Sequence, residues 1–172
     1  DVRRCIVPAP GQVFINADYA AIELRVLAAI TEDKRLQQVF KDGGDPHRQT
    51  AAMMMGVSED EVDSTGRKRA KPVNFGFAFG MGPRTFTSYA LAGYGVKVTQ
   101  QDAKNFKATY LRTYPQVAQW QARNSREMPL DVRTRSGRLR RFSDRKKGYC
   151  ERLNTPIQGS AADGMKQALV LL

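Results

Sequence analysis

At 172 residues the chain is long enough for one ordinary domain with a core of its own, and too short for the several domains of a large multistep enzyme. Its 28 Lys and Arg against 17 Asp and Glu give a net charge of +11. That charge attracts polyanions such as nucleic acid, although a solvated cationic surface accounts for it equally well. Cys5 and Cys150 lie far apart with no C-x-x-C pair, which argues against a zinc site or a disulfide framework and suits a reducing cytoplasm. No apolar run reaches the roughly 18 residues of a membrane span and no signal segment opens the chain, so a soluble protein with no membrane partner is expected.

In chain order, Asp1 stands where a Met would, and Ala168 to Leu172 form an apolar run with no stop signal, so both ends read as cut. Residues 12–19 alternate, with Val13, Ile15 and Ala17 on one side and Phe14, Asn16 and Asp18 on the other. This predicts a half-buried strand with Asp18 at its end. From Ala20 the period changes: Ile22, Val26, Leu27 and Ile30 share one helical face while Glu23 points elsewhere. Ser58 and Glu61 read as a capping box, and a helix near 99–114 carries Ala103, Phe106 and Tyr110 as its apolar stripe.

Residues 133–152 hold nine Arg or Lys against Asp144 and Glu151, with Gly137 as the turn of a basic hairpin or loop. Thr155 can then cap a helix with Pro156 at its first position, and Ile157, Ala161, Met165, Ala168 and Leu172 line one face of it.

Two constellations carry chemistry. Asp18 offers a hard oxygen ligand where a strand meets solvent, although on this segment alone a helix cap is the commoner reading. Arg67, Lys71, Phe75 and Phe79 fall at four-residue steps, which on a helix places two cations and two rings along one face. Cations suit a triphosphate and rings suit a planar base. The competing reading is an amphipathic core helix with buried Phe75, Phe77 and Phe79 and solvated cations. Pro72 is expected to kink that helix or to confine Arg67 to Lys71 to a preceding turn.

Residues 18–25, DYAAIELR, resemble the DYSQIELR motif of family A DNA polymerases, and residues 67–81, RKRAKPVNFGFAFGM, resemble that family's fingers-helix motif. DPHRQTAAMMMGV at 45–57, TRSGRLRRF at 134–142 and NTPIQGSAAD at 154–163 match further family segments in order, so the resemblance covers nearly the whole chain. It implies transfer of nucleotides from dNTPs to a primer 3′-hydroxyl on primer-template DNA, by a protein working as a monomer with two Mg2+ ions. Asp18 would be one of two metal aspartates, and Tyr19 would lend its backbone carbonyl. Arg67, Lys71 and His47 would face the triphosphate, with Lys71 a proton donor to the leaving pyrophosphate; the residues alone favour His47 as a structural member of the Asp45-Pro46 turn.

By the same resemblance Glu23 would be the steric gate against a ribose 2′-hydroxyl, and Phe75 would lie beside the sugar 3′ carbon. Phe79 departs from the family, which carries a tyrosine whose hydroxyl bonds the gate glutamate, so looser ribonucleotide exclusion is expected. Asn154 and Gln158 would touch the minor groove, although Gln158 could instead complete a Thr155 capping box. Cys150 stands where the family has an arginine, which leaves Arg152 as an offset substitute, and Arg138, Arg140 and Arg141 would contact duplex backbone.

The family's His-Asp-Glu motif, with the second aspartate, is not in the sequence, so the 172 residues alone are expected to be inactive. A single-subunit RNA polymerase relative would lack the Glu23 gate, and a non-catalytic nucleic-acid-binding module would have no reason to keep Asp18, Arg67 and Lys71 together. The expected fold is α+β and mostly helical: a partial polymerase palm with a short antiparallel sheet and a helical fingers insertion. Residues 1–30 would be the first palm segment, 31–125 the fingers, and 126–172 the return to palm with the basic hairpin.

Overall fold

A computed structural model describes residues 2–171. Within them lie eight α-helices: α1 (Ile22–Thr31), α2 (Lys34–Lys41), α3 (Pro46–Met55), α4 (Ser64–Ala78), α5 (Pro83–Tyr94), α6 (Gln100–Thr113), α7 (Pro115–Glu127) and α8 (Tyr149–Val170). One antiparallel hairpin, β1 (Asp131–Arg133) and β2 (Leu139–Arg141), pairs Val132 with Arg140. The mostly helical α+β expectation therefore holds. None of the described helices is long and apolar enough to cross a membrane.

Side-chain caps start four of the eight helices. Asp33, Asp45, Asp63 and Thr99 each accept a backbone N–H in the first turn of α2, α3, α4 and α6, satisfying donors that a helix start leaves orphaned. The Ser58 and Glu61 capping box forms as expected, around a short 3₁₀ turn. Asp33 does more than cap its own helix. It is fully buried, and its second oxygen takes the Gln116 N–H at 3.1 Å, so one carboxylate closes the starts of α2 and α7 together.

Helix α4 is the centre of the fold. Ala70, Val73, Phe77 and Ala78 are buried along it, and Phe77 stacks on Phe86 of α5 at 4.4 Å between centroids. The helix continues through Pro72, so Arg67 to Lys71 belong to it and are not confined to a preceding turn; buried residues on both sides of the proline outweigh its one lost hydrogen bond. At its far end Gln121 of α7 donates to the Phe77 and Ala78 carbonyls at 2.6 and 3.1 Å. Gly80 follows in the left-handed conformation, φ +76°, under Leu153 and Tyr149 of α8.

The strand expected over 12–19 is absent. The segment has no regular structure, and Val13 and Ile15 are 82% and 91% exposed. Alternation supplies a face, but a strand exists only by pairing, and among the described residues the backbone of this segment bonds only at the Ala9–Gln12 turn. The next helix is also rotated from expectation. Leu24, Leu27 and Ala28 are its buried residues, with Val26 and Ile30 at the margin and Glu23 half-buried.

Helix α8 starts at Tyr149, six residues before the expected Thr155 cap, and continues through Pro156. Thr155 Oγ1 donates back to the Glu151 carbonyl instead of capping. Arg152, Leu153 and Ile157 are all buried, and that packing keeps the turn before the proline helical. Beyond Ala161 the expected apolar face is solvent-exposed at Met165, and Leu172 lies outside the described residues.

Candidate functional site

Helices α3 and α4 pack face to face, and their facing side chains form a polar cluster. Asp45 caps α3 by accepting from the His47 and Arg48 amides and also takes the Arg67 Nε in an ion pair. Burial opposes its charge, but the Arg67 hydrogen bond and the two amides outweigh it, so its carboxyl is held below the ordinary aspartate value. Among the described residues the two terminal nitrogens of Arg67 have no hydrogen-bond or ion-pair partner. Lys71 lies one turn further along α4 and makes no ion pair among the described residues.

His47 is 6% exposed beneath these cations, with its ring 5.5 Å from Phe75. Burial lowers its pKa to about 4, Arg67 and Lys71 push the same way, and Asp45 opposes them, so the ring is neutral at neutral pH. Asn74, wholly buried on α4, meets His47 Nδ1 at 3.0 Å and the Thr50 hydroxyl at 3.0 Å. Arg67, Lys71 and Phe75 lie on α4 with Phe79 as its C-cap residue, and Asp45, Asn74 and Thr50 join the cluster. Sequence reasoning did not single these three out, although an Asp-Pro helix start is a legible cap signal for the first.

Past the end of α4 the row opens into a cavity of about 450 Å3. Glu23 from α1, Phe75 and Phe79, Tyr89 and Tyr94 from α5, and Asn154 and Gln158 from α8 line it. Burial raises the Glu23 pKa above the ordinary value, and the Gln158 side chain, which reaches its carboxylate, partly offsets this. The Tyr89 and Tyr94 hydroxyls meet at 3.2 Å. Asn154 Oδ1 is buried with no hydrogen-bond partner among the described residues, an acceptor left over at the cavity wall.

Asn154 and Gln158 also line a second depression, between the hairpin and α8, with Arg138, Arg140 and Arg141. Here the three arginines differ. Arg138 donates to Asp163 and to the Gly159 carbonyl, tying the hairpin to α8. Arg141 pairs with Asp131 across the hairpin. Among the described residues Arg140 has only the neutral Thr155 hydroxyl at 3.1 Å and the Phe142 ring beneath it at 4.9 Å. The Thr155 capping box falls with its helix start, which leaves Gln158 to Glu23 and the groove.

Arg152 corrects its expected place. It is 1% exposed and donates to the Pro129 and Asp144 carbonyls at 2.8 and 2.6 Å, so it holds the hairpin loop against α8 and has no surface to offer a duplex.

Asp18 is exposed and does not cap α1, whose N-cap is Ala21 with no side-chain hydrogen bond. That removes its structural explanation and leaves a bare carboxylate beside Tyr19. Among the described residues no three His, Cys, Asp or Glu converge to hold a metal ion. Asp18 and Tyr19 alone do not make a metal site.

A helix that carries cations and then rings thus leads to a glutamate-lined cavity beside a basic groove. Residues 1–172 match the family DNA polymerase family A, and the chain belongs to it. It is 41% identical over 180 residues to DNA polymerase I of Caldicellulosiruptor bescii, covering 98% of this chain and 20% of that protein. It is 39% identical over 181 residues to the thermostable DNA polymerase I of Thermus thermophilus, covering 99% of this chain and 21% of that protein. The POL domain of Pol1 from M. smegmatis, solved in complex with DNA primer-template and dNTP, superposes with a TM-score of 0.74 at 28% identity, covering 87% of this chain and 27% of that one. The chain spans about a fifth of the length of these curated relatives.

Proposed function

We propose that this chain supplies the nucleotide-binding part of a DNA-directed DNA polymerase, which adds dNTPs to a primer 3′-hydroxyl on primer-template DNA in replication or repair. The observation that carries the reading is the convergence of Glu23, Phe75, Phe79, Asn154 and Gln158, from three helices, on one cavity at the end of the Arg67 and Lys71 row. Cations followed by rings match a triphosphate followed by its nucleoside.

In this reading Arg67, Lys71 and His47 hold the triphosphate, Lys71 donates a proton to the departing pyrophosphate, and Phe75 packs beside the sugar. Glu23 excludes a 2′-hydroxyl. Asn154 and Gln158 reach the minor groove of the nascent pair, where every correct pair presents an acceptor. Arg138, Arg140 and Arg141 face the duplex backbone. Residues 1–30 and 126–172 form palm and 31–125 form fingers.

Asp18 and the Tyr19 carbonyl would serve as ligands to two Mg2+ ions, which in such a site favour attack by the primer hydroxyl and offset charge on the leaving group. One carboxylate does not hold two ions, so the remaining ligands must come from other residues and the 172 residues alone are expected not to extend a primer.

The test is primer extension with Mg2+ and dNTPs by the full reading frame that contains this chain, beside the same frame carrying Asp18→Ala. Extension that the variant loses supports the reading and the role of Asp18. A folded frame that binds primer-template but extends nothing would leave a nucleic-acid-binding module in its place.

A further inference from the structure

We propose that Asn74 is a positioning residue: its buried amide fixes His47 in the tautomer with the proton on Nε2, so that a neutral N–H donor is presented to the triphosphate. The choice of triphosphate as the partner rests on the function proposed above; the tautomer does not.

The orientation of the amide is fixed by its neighbours. Asn74 lies wholly buried in the middle of α4, and its Nδ2 is 3.3 Å from the Pro46 carbonyl. A carbonyl only accepts, so the NH2 end must be on that side; the flipped amide would set two oxygens against each other. The Thr50 hydroxyl, 3.0 Å from Oδ1, donates to the other end and agrees. Both hydrogens of Nδ2 are then assigned, one to Pro46 and one to His47 Nδ1 at 3.0 Å. An amide nitrogen cannot accept, so Nδ1 carries no proton, and a neutral ring must carry its proton on Nε2.

The ring is kept neutral by its surroundings. It is nearly buried, and the charged groups that face it are Arg67 and Lys71 from α4 and Asp45 at the start of α3. The carboxylate is itself occupied by Arg67 and by two backbone amides. Protonation would also drive a new Nδ1–H into the Asn74 NH2. Three features thus prescribe one state: the first residue of α3 orients the amide, the amide orients the ring, and the cations beside it hold off a second proton. The result is an N–H donor beside two cations, a combination that suits an oxygen-rich anion and stays constant through neutral pH.

The experiment uses 15N-histidine-labelled protein, with the His47 resonances assigned by their absence from a His47→Gln variant. His47 is the chain's single histidine, which keeps the spectrum unambiguous. Two distinct ring nitrogens are expected, Nε2 protonated and Nδ1 bare, unchanged from pH 8 to pH 5. Asn74→Asp, which keeps the shape but replaces the donor by an acceptor, is expected to move a proton onto Nδ1 and to bring the titration back toward or above the ordinary histidine value. A wild-type ring with its proton on Nδ1, an averaged mixture, or a midpoint near 6.5 overturns the proposal.

Thr50→Val is the milder companion if Asn74→Asp does not fold; Pro46 still holds the amide, so the Nε2–H tautomer should survive, and its loss would overturn the proposed hierarchy. Tripolyphosphate added to the wild-type protein should shift Nε2 and leave Nδ1 little changed, and Asn74→Asp should weaken that binding about tenfold or more, as loss of a hydrogen bond to a charged group does. An intact Nε2–H that ignores tripolyphosphate would sink the triphosphate assignment while the tautomer stands.

Discussion

Phe79 shows how one atom sets the chemistry of this cavity. The ring is nearly buried at the end of α4 and shares the cavity wall with Glu23, but it brings no hydroxyl there. Burial raises the Glu23 carboxyl and the Gln158 side chain only partly offsets this, so it carries its charge with less support than a well-bonded carboxylate. Phe79→Tyr adds a donor inside the same cavity. In the extending enzyme, the dNTP over rNTP preference is expected to rise roughly two- to tenfold, the worth of one neutral hydrogen bond. Single-nucleotide incorporation with matched dNTP and rNTP measures it, and an unchanged ratio would mean that Glu23 does not need the bond.

At the scale of elements, Gly80 joins the Arg67 to Phe79 row to α8. It turns the chain out of α4 at φ +76°, and a Cβ there would sit 2.5 Å from Leu153 Cδ1 and 2.7 Å from Tyr149 Cε1. Leu153 is fully buried and cannot retreat. Gly80→Ala therefore combines left-handed strain with overpacking, and a loss of roughly 2–5 kcal/mol is expected in urea unfolding. A change under about 0.5 kcal/mol would show that α8 gives way easily.

The same elements mark what a sequence can and cannot disclose. The spacing of Arg67, Lys71, Phe75 and Phe79 was legible because helical spacing is a local property, and the capping box of Ser58 and Glu61 is written within four residues. Residues 12–19 misled because alternation describes a face but not the partner a strand requires. Thr155-Pro156 carries a true start signal, overruled by burial of Arg152 and Leu153 before it. The burial of Arg152 itself depends on carbonyls at Pro129 and Asp144, and the role of Asn74 on Pro46 and Thr50 of another helix, distances that no local pattern encodes.

Across the whole molecule, the charge of +11 is less available than its sum suggests, and the hairpin shows why. Arg138 has two of its nitrogens committed to Asp163 and Gly159, and Arg141 is paired with Asp131, so either must break or share a bond before it meets a phosphate. Arg140 gives one nitrogen to a neutral hydroxyl and rests on the face of Phe142, which orients it without neutralising it. If the groove between the hairpin and α8 carries duplex, Arg140 should supply most of the counterion release among the three. Removing one cation from a phosphate lowers the slope of log affinity against log salt by about 0.9. Duplex binding titrated from low to moderate salt should therefore lose close to one unit of slope in Arg140→Gln and distinctly less in Arg141→Gln. Arg138→Gln should act mainly on stability, since it frees the hairpin from α8. Equal slopes for all three variants and the wild type would move the duplex to another face of the protein, and an equal loss in each would mean that the two ion pairs open on contact with DNA.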